Sequence, residues 1–270
     1  NAFRPMRDLP TVQELIDGLK EYIAKARGYG YRVYVGTLLP MGGWRTDAPF
    51  RQVLRLGKSA MEVHLQGTVI TLWVDAFEPV IHAEVVSPKA VTCRVSYESW
   101  RYEDRPFRKM EGLQGSHKWR KPAGLITSAD RITADEHGVT FYHHNPAETV
   151  FDRTVEVEGM NAVKDELWNP LAHRIAGGRL WSEELQYEGT TDGVYLSTNH
   201  RAWRFRSVKP MRRQGFTIAL HNDQTPDVEQ WREGLQRTIA EATATKTAKA
   251  DTERWWAAFW QRSWIEGAGE

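Results

Sequence analysis

Residues 61–86 read MEVHLQGTVITLWVDAFEPVIHAEVV, and this stretch decides the predicted fold class. Its first part places Met61, Val63 and Leu65 at alternate positions between polar residues, the pattern of a strand with one buried face. Val69–Val74 is almost continuously apolar, which is typical of a strand covered on both faces. Residue pairs that favour turns separate such runs: Gly57–Lys58, Gln66–Gly67, Glu78–Pro79 and Ser87–Pro88.

Short runs of this kind continue through most of the chain. We predict strands at Phe50–Leu56, Met61–Leu65, Val69–Asp75, Val80–Val86, Val91–Trp100, Val139–His144, Thr149–Val157, Arg179–Leu185, Val194–Ser197, Ala202–Val208 and Phe216–Leu220. In the first half they repeat about every ten residues, which indicates antiparallel sheets in a sandwich. Residues 102–126 lack periodicity and are predicted as a long loop. The predicted fold class is mainly β: an antiparallel β-sandwich with an N-terminal α-β unit and C-terminal linker helices.

The two ends of the chain differ from this middle part. Thr11–Arg27 has helical periodicity and Tyr31–Leu39 follows as a strand, which gives one α-β unit. At the other end, Thr225 is predicted to cap a helix over Pro226–Ala244, and a last helix is predicted to start at Asp251. The expected domains are residues 1–49, a sandwich at 50–224 and linker helices at 225–270.

The last helix, predicted to reach about Ile265, is apolar on almost every side. Its aromatic residues are Trp255, Trp256, Phe259, Trp260 and Trp264. A helix that is apolar all round needs two packing partners, and a sandwich offers only one. We therefore expect these residues to contact a missing domain or a second subunit. The alternative is a helix that packs flat and leaves some tryptophans exposed.

The amino-acid composition argues against some classes of function and favours others. A net charge of +1 gives no electrostatic reason to expect nucleic acid or an anionic membrane as a partner, and no apolar run reaches the roughly 18 residues of a membrane span. The single cysteine, Cys93, excludes an internal disulfide and a Cys-rich metal site. The single cysteine leaves the cellular compartment open, with an extracellular or periplasmic location favoured over others. Asn1 is not an initiator residue, which allows a processed or truncated start. The 12 tryptophans favour carbohydrate as a ligand, because the flat indole face stacks on sugar rings.

One polar group of residues follows a predicted strand. His143 and His144 are adjacent, and adjacent strand side chains point to opposite faces, so we do not expect both to bind one metal ion. Together with Asn145 they are expected to form a polar rim that orients a loop or contacts sugar. Trp100, at the end of another predicted strand, is a further candidate for the rim of a cleft. No cofactor is expected, because the sequence has neither a P-loop nor a dinucleotide fingerprint. The GxSxG elbow of serine hydrolases is absent from it as well.

A second polar group lies in residues 168–178. His173 and Arg174 offer directed hydrogen-bond donors and are candidates for a place beside a substrate cleft. The alternative is a structural turn whose arginine binds backbone carbonyls. Gly177 and Gly178 permit either a positive φ angle or a close approach of two backbones.

From about Phe50 to Ile265 the chain resembles the N-terminal domain of a bacterial family of uncharacterised glycoside-hydrolase-like proteins, distantly related to α-L-fucosidase-type enzymes. The matching segments are Phe50–Leu56, Leu72–Ala76, Pro79–His82, Ser99–Arg101, Phe141–Asn145, Asn169–Arg174, Gly177–Gly178, Gln224–Thr225, Trp255–Trp256, Phe259–Trp260 and Arg262–Ile265. The resemblance implies a large "super-sandwich" followed by a linker helix and a helical catalytic barrel. Because the family's presumed catalytic carboxylates would lie in the barrel, none is assigned here, and we expect no activity from this chain alone.

Residues 11–43 resemble a helix-strand unit of SGNH (GDSL-type) hydrolases. Those enzymes need a nucleophilic Ser near the N-terminus and an Asp-x-x-His near the C-terminus, and neither occurs here. The expected function is therefore a non-catalytic N-terminal domain of a carbohydrate-active enzyme. A fragment of an SGNH-type esterase or carbohydrate deacetylase, and a stand-alone carbohydrate-binding module, are the alternatives.

Overall fold

The structure, a computed structural model, describes residues 50–107, 124–195 and 198–263. In these ranges the chain forms thirteen strands and three α-helices. The strands are β1 (Phe50–Arg55), β2 (Ala60–Leu65), β3 (Thr68–Val74), β4 (Val80–Val91), β5 (Arg94–Ser99), β6 (Arg105–Pro106), β7 (Ile126–Thr127), β8 (Arg131–Ala134), β9 (Gly138–His144), β10 (Arg174–Trp181), β11 (Leu185–Tyr195), β12 (Thr198–Ser207) and β13 (Met211–Gln224). The helices are α1 (Val150–Val157), α2 (Val228–Ala244) and α3 (Ala248–Trp260).

Eight strands form one antiparallel sheet in the order β1-β2-β3-β4-β13-β10-β9-β8, termed sheet A. Strands β11, β12 and β5 form a second sheet in that order, termed sheet B, and β6 pairs with β7. The predicted antiparallel β-sandwich with C-terminal helices is therefore confirmed. The predicted α-β unit, Trp264 and residues 108–123 of the predicted loop lie outside the described residues, and the division into three domains stays a prediction.

Side chains from both sheets form the main core. Leu185 and Phe205 of sheet B are fully buried, and Leu180 of sheet A is 6% exposed. Burying one such side chain stabilises a fold by about 1.5–3 kcal/mol, so these contacts hold the sheets face to face. Because strand side chains alternate, Val139 and Phe141 of β9 point toward sheet B, whereas Tyr142 points away from it.

Helix α2 covers the other face of sheet A. Trp231 and Leu235, one turn apart, pack on Ile175 and Ala219 in a second apolar cluster. The indole Nε1 of Trp231 donates to the carbonyl of His221 at 3.1 Å, so the one polar atom of this buried side chain has a partner. The described chain thus has three layers in the order sheet B, sheet A and α2.

The predicted start of each C-terminal helix is wrong by a few residues. Asp227, rather than Thr225, is the N-cap of α2, because its carboxylate accepts a hydrogen bond from the Glu229 N–H at 2.9 Å. The Thr225 hydroxyl instead accepts from the Asp227 N–H at 3.1 Å. Helix α3 begins at Ala248 rather than at Asp251.

The strand predicted at Thr149–Val157 is wrong, because this segment forms helix α1. The Thr149 hydroxyl accepts from the Phe151 N–H at 3.2 Å, and the Asp152 carboxylate accepts from the Thr149 N–H at 2.8 Å. This reciprocal capping box starts a helix despite the β-branched residues that suggested a strand.

Several strand boundaries also differ from the prediction, most clearly those of β4, β10, β11 and β13. Strand β4 continues through the predicted turn at Ser87–Pro88, where its partner β13 has an irregular register between Met211 and Arg213. Bulges of this kind are among the places where a strand tolerates proline. The strand predicted at Arg179–Leu185 is wrong at both ends, because β10 covers Arg174–Trp181 and Leu185 is the first residue of β11. The short strand β8 is missing from the predicted strands.

Candidate functional site: a polar rim cluster and an aromatic helix surface

Asp130 connects the two sheets at one end of the sandwich. Its Oδ1 atom lies 3.0 Å from Nδ1 of His143 and 2.9 Å from a guanidinium nitrogen of Arg101, and its Oδ2 atom accepts from the Ser99 hydroxyl at 3.1 Å. The Asp130 side chain is only 8% exposed. A carboxylate so far out of water needs donors and a countercharge of this kind. We term Ser99, Arg101, Asp130 and His143 the rim cluster.

Strand register explains why these residues meet. Strands β8 and β9 form a hairpin in which Arg131 faces Tyr142, so Asp130, one residue earlier, comes opposite His143. A backbone hydrogen bond also keeps Asp130 beside the end of β5: the Asp130 N–H donates to the carbonyl of Arg101 at 2.7 Å. The aspartate is therefore fixed by both main chain and side chain.

The rim cluster begins where the apolar core between the sheets ends. Phe141, on the same face of β9 as His143, stacks on Tyr97 of β5 with ring centroids 4.1 Å apart. Burial raises the pKa of Tyr97 to about 12, because a phenolate there would lose its hydration. Ser99 and His143 are the next residues on the same faces of their strands, so the polar contacts start one step beyond the stacked rings.

Trp100 is exposed, and His143 keeps one ring nitrogen without a described partner. Trp100 is 57% exposed and lies between Ser99 and Arg101, so its Cα atom is about 3.8 Å from the Cα atom of each. His143 uses Nδ1 toward Asp130, whereas its Nε2 atom bonds to no described group and is not among the buried atoms that lack a partner. An exposed indole can stack on a ligand, and an imidazole nitrogen without a partner can form a hydrogen bond.

His144 lies on the opposite face of sheet A, as strand alternation predicts. Register places it beside Ile175, a core residue under α2. Burial, with smaller effects of His173 and His143, lowers the pKa of His144. The two adjacent histidines thus do not share a site, and in the described ranges no three His, Cys, Asp or Glu side chains are arranged to hold a metal ion.

Asn145 directly follows β9, and His173 and Arg174 lie where β10 begins. Arg174 donates from Nε to the Pro170 carbonyl at 2.7 Å, and Asn145 donates from its amide to the Leu171 carbonyl at 3.0 Å. His173 adopts a left-handed backbone conformation with φ of 55°. These contacts match the alternative of a structural turn held on backbone carbonyls, and a contact of these residues with sugar stays a prediction.

Gly177 and Gly178 serve the close approach of strands within sheet A. Neither has a positive φ angle. A Cβ atom added at Gly177 would lie 2.5 Å from the Cα atom of Tyr142 and closer still to the carbonyl oxygen of Phe141. Of the two reasons for glycine at this position, the structure supports the close approach of two backbones.

Helix α3 is attached to the sandwich by a polar contact at the turn between β3 and β4. Thr252 is fully buried; its hydroxyl accepts from the Ala76 N–H at 3.0 Å and lies 3.4 Å from a carboxylate oxygen of Asp75. Only Ala248 and Thr252 of this helix are buried. The helix also lies beside the turn at Leu56–Lys58, and six of its thirteen residues, Trp255 among them, are exposed.

The aromatic rings of α3 differ in exposure: Trp255 is exposed, whereas Trp256, Phe259 and Trp260 are half-buried. Trp255 stacks on Phe259 with centroids 5.8 Å apart, and Trp256 stacks on Trp260 with centroids 5.9 Å apart. Trp255 is 42% exposed, and Phe77 in the turn between β3 and β4 is 61% exposed. Phe77 and Trp255 line a groove of about 470 Å³. We term these five residues the aromatic surface.

Sequence reasoning identified His143 of the rim cluster, the neighbouring Trp100 and the four described aromatic residues of α3. It did not assign Ser99, Arg101, Asp130 or Phe77 to a site. The signal for Asp130 was the alternation of Arg131–Ala134, which marks a strand able to form a hairpin with β9. No comparable signal exists for Phe77, whose position beside α3 depends on tertiary packing.

An antiparallel sandwich of two sheets, extended by C-terminal helices, is the class of domain that this fold defines. The chain belongs to the family described as "Domain of unknown function (DUF5703)", since the model of its N-terminal part, DUF5703_N, matches residues 41–265. Among solved structures the chain is similar to a "Putative kojibiose phosphorylase from human microbiome", at 7% identity and a TM-score of 0.41, over 80% of this chain and 26% of that protein. The chain thus spans about a quarter of the length of that protein. No curated protein matches it.

Among the helices that the structure describes, none has the length and apolar content needed to cross a membrane.

Proposed function

We propose that the chain is a non-catalytic N-terminal domain of a carbohydrate-active enzyme, and that its aromatic surface packs against the domain that follows it in DUF5703 proteins. The exposed side of α3 carries this proposal. Trp255 is 42% exposed although it lies beside Phe77, itself 61% exposed. Grouped aromatic side chains that stay in water usually mark a contact with another domain.

The proposed occupant follows from the position of α3 within the family. The matched model of the N-terminal part of DUF5703 ends at residue 265, shortly after α3. The domain that follows in such a protein is therefore the nearest partner for α3 along the chain. Glu78, Asp251 and Arg254 line the groove beside Trp255, as expected for the polar rim around an apolar contact. The resemblance to glycoside-hydrolase-like proteins implies that this partner is a helical catalytic domain.

Co-expression tests this proposal directly. The chain is produced together with the C-terminal part of a DUF5703 protein, and complex formation is followed by size-exclusion chromatography with light scattering. We expect a heterodimer that the double change Trp255→Ser and Phe259→Ser abolishes. The matched control is Trp168→Ser, which alters a tryptophan that is 72% exposed and lies outside the aromatic surface. This control is expected to leave the complex intact.

Two outcomes contradict the proposal. The first is a chain that remains a monomer during co-expression and binds no hydrophobic dye. The second is a chain that associates with itself through α3 and ignores the C-terminal part, because the occupant would then be a second copy.

A stand-alone carbohydrate-binding module is the second candidate function, and the exposed indole of Trp100, directly after β5, favours it. Millimolar or tighter sugar affinity of a chain that forms no complex would support it. The SGNH-type esterase depends on residues 11–43, which lie outside the described residues. Turnover of an aryl acetate that a Ser-directed inhibitor stops would support that alternative, and no turnover at micromolar enzyme would remove it.

A further inference from the structure

We propose that the groove lined by Phe77 and Trp255 receives an arginine side chain of the domain that follows this one in DUF5703 proteins. This arginine would belong to the contact proposed above, so the inference rests on the proposed function and adds the chemistry of the group that enters the groove. Two carboxylates beside the rings carry it, because they have no cationic partner within the part of the chain that the structure describes.

The groove is acidic although its two rings are apolar. Its lining includes three carboxylates, those of Asp75, Glu78 and Asp251. Among the described lining residues Arg254 is the only cation, and it is paired with Asp251 on the same helix. Asp75 and Glu78 take part in no ion pair with any described residue. The groove therefore keeps two negative charges that its own arginine does not compensate.

Asp75 is fixed in place with one oxygen left over. The residue is 8% exposed, and its Oδ1 atom accepts from the Phe77 N–H at 2.9 Å and lies 3.4 Å from the Thr252 hydroxyl. Its Oδ2 atom bonds to no described group and is not among the buried polar atoms that lack a partner. This oxygen is thus an acceptor that a donor in the groove can reach.

Glu78 is the second carboxylate, and its surroundings disfavour its charge. Burial, followed by the negative charges of Glu241 and Asp75, raises the pKa of Glu78. A cation placed in the groove would act against all three effects. A further carboxylate or a neutral group would not, so the electrostatics of the groove favour a positively charged occupant.

Covering the two rings also covers these carboxylates. A domain that packs on Phe77 and Trp255 takes water away from the neighbouring Asp75 and Glu78, and an apolar group there would leave two dehydrated negative charges. An arginine meets both demands, because its planar guanidinium stacks on aromatic rings and donates paired hydrogen bonds to carboxylates. Arginine is also enriched at protein interfaces, whereas lysine is depleted.

The alternative is a rim of charges that stays hydrated around the aromatic contact. In that case the charge of Glu78 adds nothing to affinity. Glu78→Gln separates the two, since it keeps the shape of the side chain, removes its charge and breaks no side-chain bond to a described residue. The matched control is Glu183→Gln, the same change at a carboxylate that is 85% exposed and lies outside the groove.

The first measurement is the affinity of the 270-residue chain for the C-terminal part of a DUF5703 protein, by calorimetry. We expect Glu78→Gln to weaken the complex about five- to tenfold and Glu183→Gln to change it less than about twofold. The surface arginines of the C-terminal part are then changed to glutamine one at a time. Double-mutant cycles with Glu78→Gln should show coupling for one of them.

A complex that forms through α3 but is insensitive to Glu78→Gln, or in which no arginine couples to Glu78, overturns the inference. The proposed docking function would still stand in that case. The two proposals can therefore fail separately.

The second measurement uses the chain alone and follows the indole N–H signal of Trp255 by NMR, assigned with Trp255→Phe. The probes are Nα-acetyl-arginine amide and Nα-acetyl-citrulline amide, which is neutral and has nearly the same shape. We expect millimolar binding of the arginine probe, at least about threefold weaker binding of the citrulline probe, and a similar loss on Glu78→Gln.

Equal binding of the two probes, or no binding of either, overturns the arginine site. Selective binding of the arginine probe by a chain that forms no complex supports the site and removes the docking function.

Discussion

The Nδ1 atom of His143 lies 3.0 Å from the Oδ1 atom of Asp130, thirteen residues earlier in the chain. Through this contact strand β9 of sheet A is joined to a carboxylate that also binds Ser99, at the end of β5 in sheet B. The end of the sandwich is thus closed by one buried aspartate rather than by apolar packing. The same contact orients the imidazole of His143, whose Nε2 atom bonds to no described group.

Replacing Asp130 should destabilise the fold, because His143, Arg101 and Ser99 would lose a common partner. We expect Asp130→Ala to lower the free energy of unfolding by about 2 kcal/mol, measured by urea denaturation. Asp192→Ala is the control: this carboxylate binds Arg201 at 2.7 Å but is 64% exposed, so its loss should change stability little. Equal effects of the two changes would show that Asp130 does not hold the sheets together.

A methyl group at Gly177 should disrupt sheet A. It would meet the backbone of Phe141 and Tyr142, which cannot move without breaking the pairing of β9 with β10. We expect Gly177→Ala to cost about 2–3 kcal/mol in chemical denaturation. At Gly215 in β13 an added Cβ atom has nothing within 4 Å, so Gly215→Ala should be close to neutral. A neutral Gly177→Ala would contradict the close approach of these strands.

Stability should fall as the pH drops below about 6.5, because of His82. Its ring stacks on Trp73 at 4.0 Å and its Nε2 atom is buried without a described partner. Burial lowers the pKa of His82, and Asp75 opposes this only partly. The unfolded chain therefore takes up the proton first, so stability is full above the unfolded pKa and is lost below it.

The variant His82→Phe tests this linkage. It keeps a ring for stacking and removes the titration, so the difference in unfolding free energy between about pH 7 and about pH 5 should become smaller. Some pH dependence should remain, because burial also lowers the pKa of His144. The explanation is wrong if original chain and variant lose the same stability over this range.

Removing the Thr252 hydroxyl should loosen α3. Thr252→Val keeps the shape but leaves the Ala76 N–H without its acceptor, and we expect a cost of about 1–2 kcal/mol and faster amide hydrogen exchange along the helix. Thr243→Val is the control, since that hydroxyl donates only to the Ile239 carbonyl on the exposed side of α2. Unchanged exchange in α3 would show that apolar contacts alone position it.

The parts of the fold that depend on local pattern were predictable. The strands within residues 61–86 begin within a residue or two of their predicted starts. When every second residue of a strand is buried, the sequence alternates between apolar and polar residues, and this alternation can be recognised directly. The ring pairs of α3, Trp255 with Phe259 and Trp256 with Trp260, are confirmed for the same reason, since four-residue spacing stacks side chains on any helix.

The candidate site was only partly predictable, because it depends on distant pairing. Asp130 is 31 residues from Ser99 and 13 from His143, and their meeting requires both the register of β8 against β9 and the stacking of the two sheets. Helix α1 shows a related difficulty. Its sequence has the residues of a strand, and the capping bonds between Thr149 and Asp152 decide the outcome.

The central claim is that the aromatic surface of α3 is covered by the next domain of a DUF5703 protein. Hydroxyl-radical footprinting read by mass spectrometry measures this cover residue by residue, in the chain alone and in its complex with the C-terminal part. We predict that oxidation of Trp255 and Phe77 falls several-fold in the complex, while oxidation of Trp168 stays the same. Equal oxidation of Trp255 in both samples would contradict the account.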